Sequence, residues 1–303
     1  MSYLLKYNTF NEVENFTMTL TQKLNYVASG TEGSHVIFLH GLGGTTRYWQ
    51  GRLGALEKSH RVLLVDLLGF GKSPKPWARY TVERHIEALH QTIAEHAPFT
   101  LVGHSMGAML ALAYAARYPE QVERVILISL PCFGGREQAL GYYRNGPIPE
   151  RWYLTNKVLA AMTCMITRRV FGRVLPYVQR NLPREVVADT VKHHWLSFTS
   201  SLWEVIYDYD LKQDADALGD RIPIICLHGD RDQSAPLEGM LKLAEGRPEW
   251  KAHILPGVDH HPLLRAHPAC LRAIESALEP NTASRGLADM GNLAVTQSVA
   301  ISV

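Results

Sequence analysis

The chain has 303 residues, of which 46% are hydrophobic, and a formal net charge of +2 at pH 7. A chain of this length buries a large hydrophobic core, and we expect one main domain with an insertion. A charge this close to zero argues against nucleic-acid binding by the chain as a whole.

Cysteine usage and the N-terminal residues indicate the compartment. Cys132, Cys164, Cys226 and Cys270 are widely spaced, form no C-x-x-C pair and have apolar neighbours, so we expect buried free thiols in a reducing environment. The N-terminal stretch MSYLLKYNTFNEVENF contains no basic region followed by an apolar stretch of signal-peptide length. No segment approaches about 18 uninterrupted apolar residues, the length of a membrane-spanning helix. These features predict a soluble, cytoplasmic protein.

The first predicted elements are strands. Residues 16–20 and 24–28 alternate polar and apolar side chains, which predicts an antiparallel pair at the edge of a sheet. Continuous apolar runs follow at residues 35–39, 61–66 and 125–129, and such runs are typical of strands covered on both faces. Strands that alternate with helical patterns over this distance predict a parallel, doubly wound sheet.

Helical patterns lie between these strands. Residues 48–56 and 82–96 are predicted as helices, and residues 268–278 fit a closing helix near the end of the chain. The last strand is expected at residues 252–255. From residue 279 to the C-terminus there is little periodicity, and we expect a flexible tail.

A glycine-rich turn, HGLGG at residues 40–44, follows the strand at 35–39. Such a turn could cradle the phosphates of a dinucleotide. However, the spacing is G-x-G-G rather than G-x-G-x-x-G, and Asp66 is the nearest candidate for the acidic residue that would bind a ribose. The dinucleotide interpretation is therefore not favoured.

The stretch TLVGHSMGAMLALAYAARYP, residues 100–119, predicts a strand, a tight turn and a helix. A serine nucleophile must stand clear of neighbouring side chains, and the glycines of G-x-S-x-G let the chain turn sharply with Ser105 at its apex. The N–H group of Met106 then points to where negative charge would develop. The turn at residues 40–44 can bring the N–H group of Leu42 opposite it to complete an oxyanion hole.

At this point the sequence resembles the α/β-hydrolase superfamily. The motifs are HGLGG after one strand, DLLGFGKSP after the next, GHSMG at the turn and a strand that ends in ISLP. The resemblance implies the α/β-hydrolase fold, with a mostly parallel, doubly wound, eight-stranded sheet and a helical lid inserted after the sixth strand. The corresponding boundaries are 1–130 and 221–280 for the core, 131–220 for the lid and 281–303 for the tail.

The resemblance also implies an acid and a histidine base, in the order Ser, acid, His. Asp232 stands in the family pattern G-x-x-D-x-x-x-P, and Asp230, closer to the strand, could instead cap the turn or pair with Arg231. For the base, His260 and His261 compete. Counting back from the closing helix favours His261, whereas counting forward from the last strand and the pattern H-x-P-L-L favour His260, which we prefer.

These residues predict hydrolysis of a carboxylic ester, lactone or thioester with an apolar acyl group through an acyl-enzyme on Ser105. No cofactor is expected, and no metal site, since paired histidines lack further ligands at a recognisable spacing. Carbon–carbon bond hydrolysis, amide hydrolysis and acyl transfer remain alternatives on the same triad. A non-catalytic ligand receptor on this fold is an alternative of another class.

The lid region is basic as well as aromatic. Residues 131–200 contain ten Lys or Arg against four Asp or Glu. A solvated basic face is one interpretation. The other is attraction to an acidic partner beyond the small-molecule acyl substrate, either a carrier protein or a membrane surface whose headgroups meet Arg168, Arg169 and Arg173.

Overall fold

The computed structural model describes residues 23–146, 148–179, 182–191 and 193–279. The strand predicted at residues 16–20 and the tail predicted at 281–303 lie outside the described residues. The described part of the chain has no helix that is both long and apolar enough to cross a membrane.

One mostly parallel sheet forms the centre of the molecule. Its seven described strands stand in the order β1-β3-β2-β4-β5-β6-β7, and all neighbours are parallel except β1, which pairs antiparallel with β3. The mostly parallel sheet confirms the predicted fold class. The strands are β1 Tyr26–Ser29, β2 His35–Leu39, β3 Arg61–Val65, β4 Phe99–His104, β5 Val122–Ile128, β6 Ile224–Gly229 and β7 Trp250–Leu255.

Strand β1 begins two residues later than its sequence pattern predicts, for a local reason. The N–H group of Leu24 donates to the Thr92 hydroxyl at 2.9 Å, and that of Asn25 donates to the Ser73 hydroxyl at 2.9 Å. Because side chains from other elements take these two donors, ladder pairing with β3 starts only at Tyr26.

Both faces of the sheet are covered, as the continuous apolar runs predict. Along β2, Val36 and Phe38 face a layer that contains Trp49 and Ile274, whereas the alternate residues of the strand face a second layer. That second layer contains the helix Met106–Arg117, in which every residue from Met106 to Ala115 is buried. A helix that is buried all round holds the turn before it in a rigid position.

Outside the segment between β5 and β6, the helices predicted at residues 82–96, after Ser105 and at 268–278 are confirmed, whereas Leu237–Ala244 and Pro262–Arg265 were not predicted. Residues 48–56 are the exception, because Gly51 adopts a positive φ of 72° there. A 3₁₀ turn at Thr46–Tyr48 and a short helix at Leu56–Ser59 stand in place of one long helix. The helices before the segment are α1 Leu56–Ser59, α2 Val82–Ile93 and α3 Met106–Arg117. Seven helices, α4 to α10, lie between β5 and β6 in the described residues, and those after β6 are α11 Leu237–Ala244, α12 Pro262–Arg265 and α13 His267–Leu278.

The segment between β5 and β6 is helical in its described part and contributes no strand there. Two π-helical stretches, Thr167–Phe171 and Leu202–Tyr207, extend two of its helices. Its helices are α4 Arg136–Arg144, α5 Ile148–Leu154, α6 Lys157–Ile166, α7 Leu175–Val178, α8 Arg184–Thr190, α9 Trp195–Ser201 and α10 Leu211–Leu218.

Ion pairs and apolar contacts attach this segment to the sheet. Arg47 binds the Asp189 carboxylate of α8 through both Nε, at 2.6 Å, and Nη2. Arg52 Nη2 donates to Glu185 of the same helix at 2.5 Å. Helix α10 packs against α3, where Arg117 Nη1 donates to Asp214 at 3.3 Å. The segment is thus fixed to the core at several places, which also include the ion pair between Arg79 and Glu204.

Candidate active site

Ser105 stands between β4 and α3 with φ 54° and ψ −120°, a conformation that non-glycine residues rarely adopt. Its N–H group donates to the Ile128 carbonyl at 2.9 Å, which ties the turn to β5. A Cβ atom at Gly103 would lie 2.2 Å from the Gly107 carbonyl oxygen, and one at Gly107 would lie 2.4 Å from the Leu39 carbonyl oxygen. The G-x-S-x-G spacing therefore reflects direct contact of strand and helix backbones.

The structure brings Ser105, His260 and Asp232 into one hydrogen-bonded chain. His260 Nε2 lies 2.9 Å from Ser105 Oγ. On the other side of the ring, His260 Nδ1 lies 2.9 Å from Asp232 Oδ1 and 2.8 Å from Oδ2. The three side chains come from the carboxyl ends of β4, β6 and β7, which meet at one edge of the sheet.

The Asp232 carboxylate is buried but well supplied with donors. Its Oδ1 also accepts hydrogen bonds from the backbone N–H groups of Ser234 at 2.9 Å and Ala235 at 2.8 Å. Burial by itself raises the pKa of Asp232. The hydrogen bond and charge of His260 and the Ala235 N–H group outweigh burial, so the pKa of Asp232 lies below its ordinary value. The carboxylate is thus ionised at neutral pH and can stabilise an imidazolium.

The competing candidates occupy other places. Asp230 Oδ1 accepts a hydrogen bond from the Gly257 N–H group at 2.6 Å and so caps the turn after β7. The ring of His261 packs 5.9 Å from Tyr48 and 5.4 Å from His104. Burial, followed by the charge of His260, lowers the pKa of His261 to about 4, so this histidine is neutral at pH 7.

The two predicted oxyanion donors lie on segments that touch each other. Met106 is the first residue of α3, where a backbone N–H group has no carbonyl partner within the helix. Leu42 lies in the turn closed by the hydrogen bond from Gly44 N to the Gly41 carbonyl at 3.0 Å. A Cβ atom at Gly41 would come 3.1 Å from the Cβ of Ser105, so this turn lies directly against the serine.

His40 and Asp66 make buried hydrogen bonds at and beside the turn of residues 40–44, which we call the oxyanion turn. His40 Nδ1 donates to the Gly41 carbonyl at 2.7 Å and Nε2 accepts from the Leu67 N–H group at 3.0 Å, and burial lowers the pKa of this ring. The Asp66 carboxylate accepts from the N–H groups of Thr46 at 2.8 Å and Lys72 at 2.9 Å. Asp66 is thus occupied by backbone, which removes it as a ribose ligand. Asp66 is the first residue of the DLLGFGKSP motif, and that position was the sequence signal for its structural role.

The side chain of His104, the residue before Ser105, makes a hydrogen bond to the backbone of His260. Its Nε2–H group donates to the carbonyl oxygen of His260 at 2.8 Å, and its ring stacks on Tyr48 with centroids 4.6 Å apart. Burial, then the nearby charges of His260 and His261, hold the pKa of His104 well below its ordinary value. A neutral His104 therefore anchors the loop that carries His260, a contact that sequence reasoning missed.

A pocket of ≈ 320 Å³ adjoins the oxyanion turn. The turn, the DLLGFGKSP loop and the helical segment all contribute to its wall, through Gly43, Lys72 and His193 among others. The His193 ring stacks on Phe198 at 4.6 Å. Among the described residues no group of three or more His, Cys, Asp or Glu is arranged to hold a metal ion.

Comparison with known proteins gives matches over most of the chain. A family model described as the alpha/beta hydrolase fold matches residues 34–144, which include the oxyanion turn and Ser105. Probable lysophospholipase BODYGUARD 1 of Arabidopsis thaliana is 25% identical over 259 residues, which cover 75% of this chain and 54% of that protein. Lipase 1 of Psychrobacter immobilis is 25% identical over 267 residues, which cover 84% of this chain and 80% of the lipase.

A solved structure matches as well. The enol-lactonase from Burkholderia xenovorans LB400 has a TM-score of 0.65 at 23% identity, over 84% of this chain and 96% of the lactonase. The chain spans about half the length of the BODYGUARD relatives that it matches. The sheet order, the strand–serine–helix turn and these matches agree that the chain has the α/β-hydrolase fold, and residues 34–144 match the model of the alpha/beta hydrolase family.

Proposed function

We propose that this protein is a serine hydrolase that cleaves a carboxylic ester, lactone or thioester with an apolar acyl group through an acyl-enzyme. The observation that carries the proposal is the unbroken hydrogen-bonded chain from Asp232 through His260 to Ser105, set against the oxyanion turn. A serine at the turn does not suit the family's dehalogenases and epoxide hydrolases, which use an aspartate nucleophile.

In the first half-reaction, Ser105 Oγ attacks the acyl carbon while His260 Nε2 takes the hydroxyl proton. His260 Nδ1–H continues to donate to Asp232, whose ionised carboxylate stabilises the imidazolium. The N–H groups of Leu42 and Met106 bind the oxygen as it becomes negative. His260 then protonates the leaving alcohol or thiol, the bond to the acyl carbon breaks, and the acyl group stays on Ser105.

In the second half-reaction a water molecule replaces the leaving group. His260 takes a proton from the water, whose oxygen attacks the acyl carbon of the ester on Ser105. The tetrahedral intermediate collapses, His260 returns the proton to Ser105 Oγ, and the carboxylic acid leaves. Every proton transfer uses the same imidazole nitrogen, so no cofactor enters the cycle.

The names of two sequence relatives support an ester substrate. They are a probable lysophospholipase and a lipase. A small-molecule acyl substrate as the primary partner also stays part of the proposal, on the chemistry of the hydrogen-bonded Ser105, His260 and Asp232. A cytoplasmic location also stays part of the proposal, supported by four free cysteines, of which Cys226 and Cys270 are buried.

The test is covalent labelling joined to turnover. A fluorophosphonate probe should label the wild-type protein at Ser105, and p-nitrophenyl esters should be hydrolysed with a dependence on acyl length. Ser105→Ala should abolish labelling and lower kcat by roughly 10⁴ to 10⁶ while the thermal unfolding curve stays close to that of the wild type. Acyl-thioesters run in parallel define the leaving-group range. Labelling at another residue would refute the assignment, and ligand binding without turnover would favour a receptor.

A further inference from the structure

One surface of the helical segment exposes apolar side chains to solvent. We call it the basic–apolar surface, and it runs from Arg151 to Gln179 through α5, α6, the π-helical stretch Thr167–Phe171 and α7. Fourteen large hydrophobic side chains are exposed in the described residues, and ten of them lie on this surface. They are Trp152, Val158, Met162, Met165, Ile166, Val170, Phe171, Val174, Tyr177 and Val178.

The spacing on α6 shows that the exposure is organised. Val158, Met162, Met165 and Ile166 recur at intervals of four, three and one, which places them on one face of the helix. Ala160, at another angle around the helix, is fully buried. The helix therefore packs on the protein through small residues and turns its large apolar side chains outward, the reverse of an ordinary surface helix.

The charge of this surface has one sign. From residue 151 to 179 the sequence contains Arg151, Lys157, Arg168, Arg169 and Arg173 and no Asp or Glu. Among the described residues none of these five forms an ion pair, whereas arginines elsewhere do, as Arg47 does with Asp189. Five cations that have no ion pair within the described part of the chain, set among exposed apolar side chains, match a partner that is both anionic and apolar.

We propose that the basic–apolar surface binds the interface of an anionic phospholipid membrane. An acidic protein would neutralise the five cations, but the exposed apolar side chains outnumber the cations two to one. A lipid interface accepts both, since headgroup phosphates meet the basic groups and the acyl boundary receives the apolar face. Trp152 and Tyr177, exposed at 61% and 64%, have the amphipathic rings that suit this boundary.

The surface is connected to the candidate active site. Arg168 Nη1 donates to the His193 carbonyl at 3.4 Å. A Cβ atom at Gly43, in the oxyanion turn, would lie 3.6 Å from His193 Nδ1. Membrane contact thus occurs on the same segment that forms a wall beside the turn. Delivery of a membrane-held ester to Ser105 rests on the proposed function, whereas membrane binding itself does not.

The binding test uses the full chain and sedimentation with vesicles. Vesicles of equal parts phosphatidylcholine and phosphatidylglycerol should retain the protein, and vesicles of phosphatidylcholine alone should retain much less. The triple variant Arg168→Gln, Arg169→Gln, Arg173→Gln should lower partitioning into the mixed vesicles by about 100-fold at low salt, since each basic residue near such a surface contributes about fivefold. Raised salt should weaken wild-type binding in the same direction.

Matched control variants distinguish an effect of this surface on vesicle binding from a general effect of removing charged or apolar side chains. Lys58→Gln, Lys242→Gln, Arg272→Gln removes the same charge from exposed positions elsewhere and should leave binding unchanged. Met162→Ser should weaken binding, and Leu241→Ser, at a similarly exposed site on α11, should not. Equal effects of both triple variants would overturn the proposal. Loss with the arginine variant but none with Met162→Ser would also overturn it, in favour of a purely acidic partner.

Three measurements distinguish membrane binding from catalysis and from self-association. Ser105→Ala should bind vesicles as the wild type does, and its failure to hydrolyse esters bears only on the proposed function. The double variant Arg169→Gln, Arg173→Gln, which keeps Arg168 and its hydrogen bond to His193, should lose activity on a long-chain ester held in mixed vesicles and keep activity on a short soluble ester. A wild-type protein that is dimeric by light scattering and becomes monomeric with Met162→Ser would show that a second copy covers the surface, and would overturn membrane docking.

Discussion

Replacing Asp232 with Asn tests the role of the acid through the geometry around its two oxygens. Oδ1 accepts hydrogen bonds from the N–H groups of Ser234 and Ala235, so in the variant the amide oxygen must take this position. The amide NH₂ group then takes the position of Oδ2 and donates to His260 Nδ1. The ring must carry its proton on Nε2, where it faces Ser105 and cannot act as a base.

The cost of this change of tautomer can be calculated for kcat and for the free energy of unfolding. Loss of the correct tautomer costs about 10⁴ in kcat, or about 5 kcal/mol at 1.36 kcal/mol per tenfold. The two backbone hydrogen bonds survive, so the free energy of unfolding should change by no more than about 1 to 2 kcal/mol. Activity and stability should therefore separate in this variant.

The assay is kcat for a p-nitrophenyl ester, measured beside urea unfolding and the ¹⁵N chemical shifts of the His260 ring. Asp230→Asn is the matched control, because Asp230 accepts a hydrogen bond from the Gly257 N–H group and does not hold the triad histidine. That control should retain activity within a few-fold of the wild type. A variant Asp232→Asn that keeps kcat within tenfold, or whose ring still carries its proton on Nδ1, would refute the reasoning.

Three further predictions concern the base, acid stability and the turn. His260→Ala should lower kcat nearly as far as Ser105→Ala, and His261→Ala much less; steady-state kinetics that gave the opposite ranking would move the base to His261. Burial lowers the pKa of His85 to about 3, so the unfolded chain binds a proton that the folded chain excludes. The free energy of unfolding should therefore fall as pH drops from about 6.5 towards 3. When it is measured by urea unfolding at several pH values, His85→Gln should reduce its slope against pH by up to about 1.4 kcal/mol per pH unit, and an unchanged slope would count against this prediction. Gly103→Ala should destabilise the fold by about 4 kcal/mol or more, because its Cβ would meet the Gly107 carbonyl at 2.2 Å, and thermal unfolding measures this. A variant that unfolds at the wild-type temperature would contradict that geometry.

Local patterns predicted the fold because its strands and helices carry local signals. The buried strands at residues 35–39 and 125–129 are continuous apolar runs, and the structure confirms them as parts of a mostly parallel sheet. Residues 48–56 were predicted as a helix, and this is wrong. Gly51 needs a backbone conformation outside the helical region, and that requirement outweighs the apolar spacing.

The candidate site was predictable in part. Motif spacing pointed to Ser105, Asp232 and His260, and the structure brings these side chains into hydrogen-bond contact, while their catalytic roles stay predictions. The bond from His104 to the His260 carbonyl spans 156 positions and has no local signature. The same holds for the stacking of His104 on Tyr48. Such contacts arise from the tertiary fold, which a single sequence does not display.

The crossover between β5 and β6 has a consequence for how this molecule can change over evolution. Parallel neighbours require the chain to return to the opposite edge of the sheet, and α10, packed on α3, lies on this return path. Ser105 lies before residues 131–209 in the chain, and Asp232 and His260 lie after α10. Residues 131–209 can therefore vary in length and composition without any change in the order of the reacting groups or in the strands that carry them. Selection can alter which molecules reach Ser105, and at which surface, while the chemistry at Ser105 stays the same.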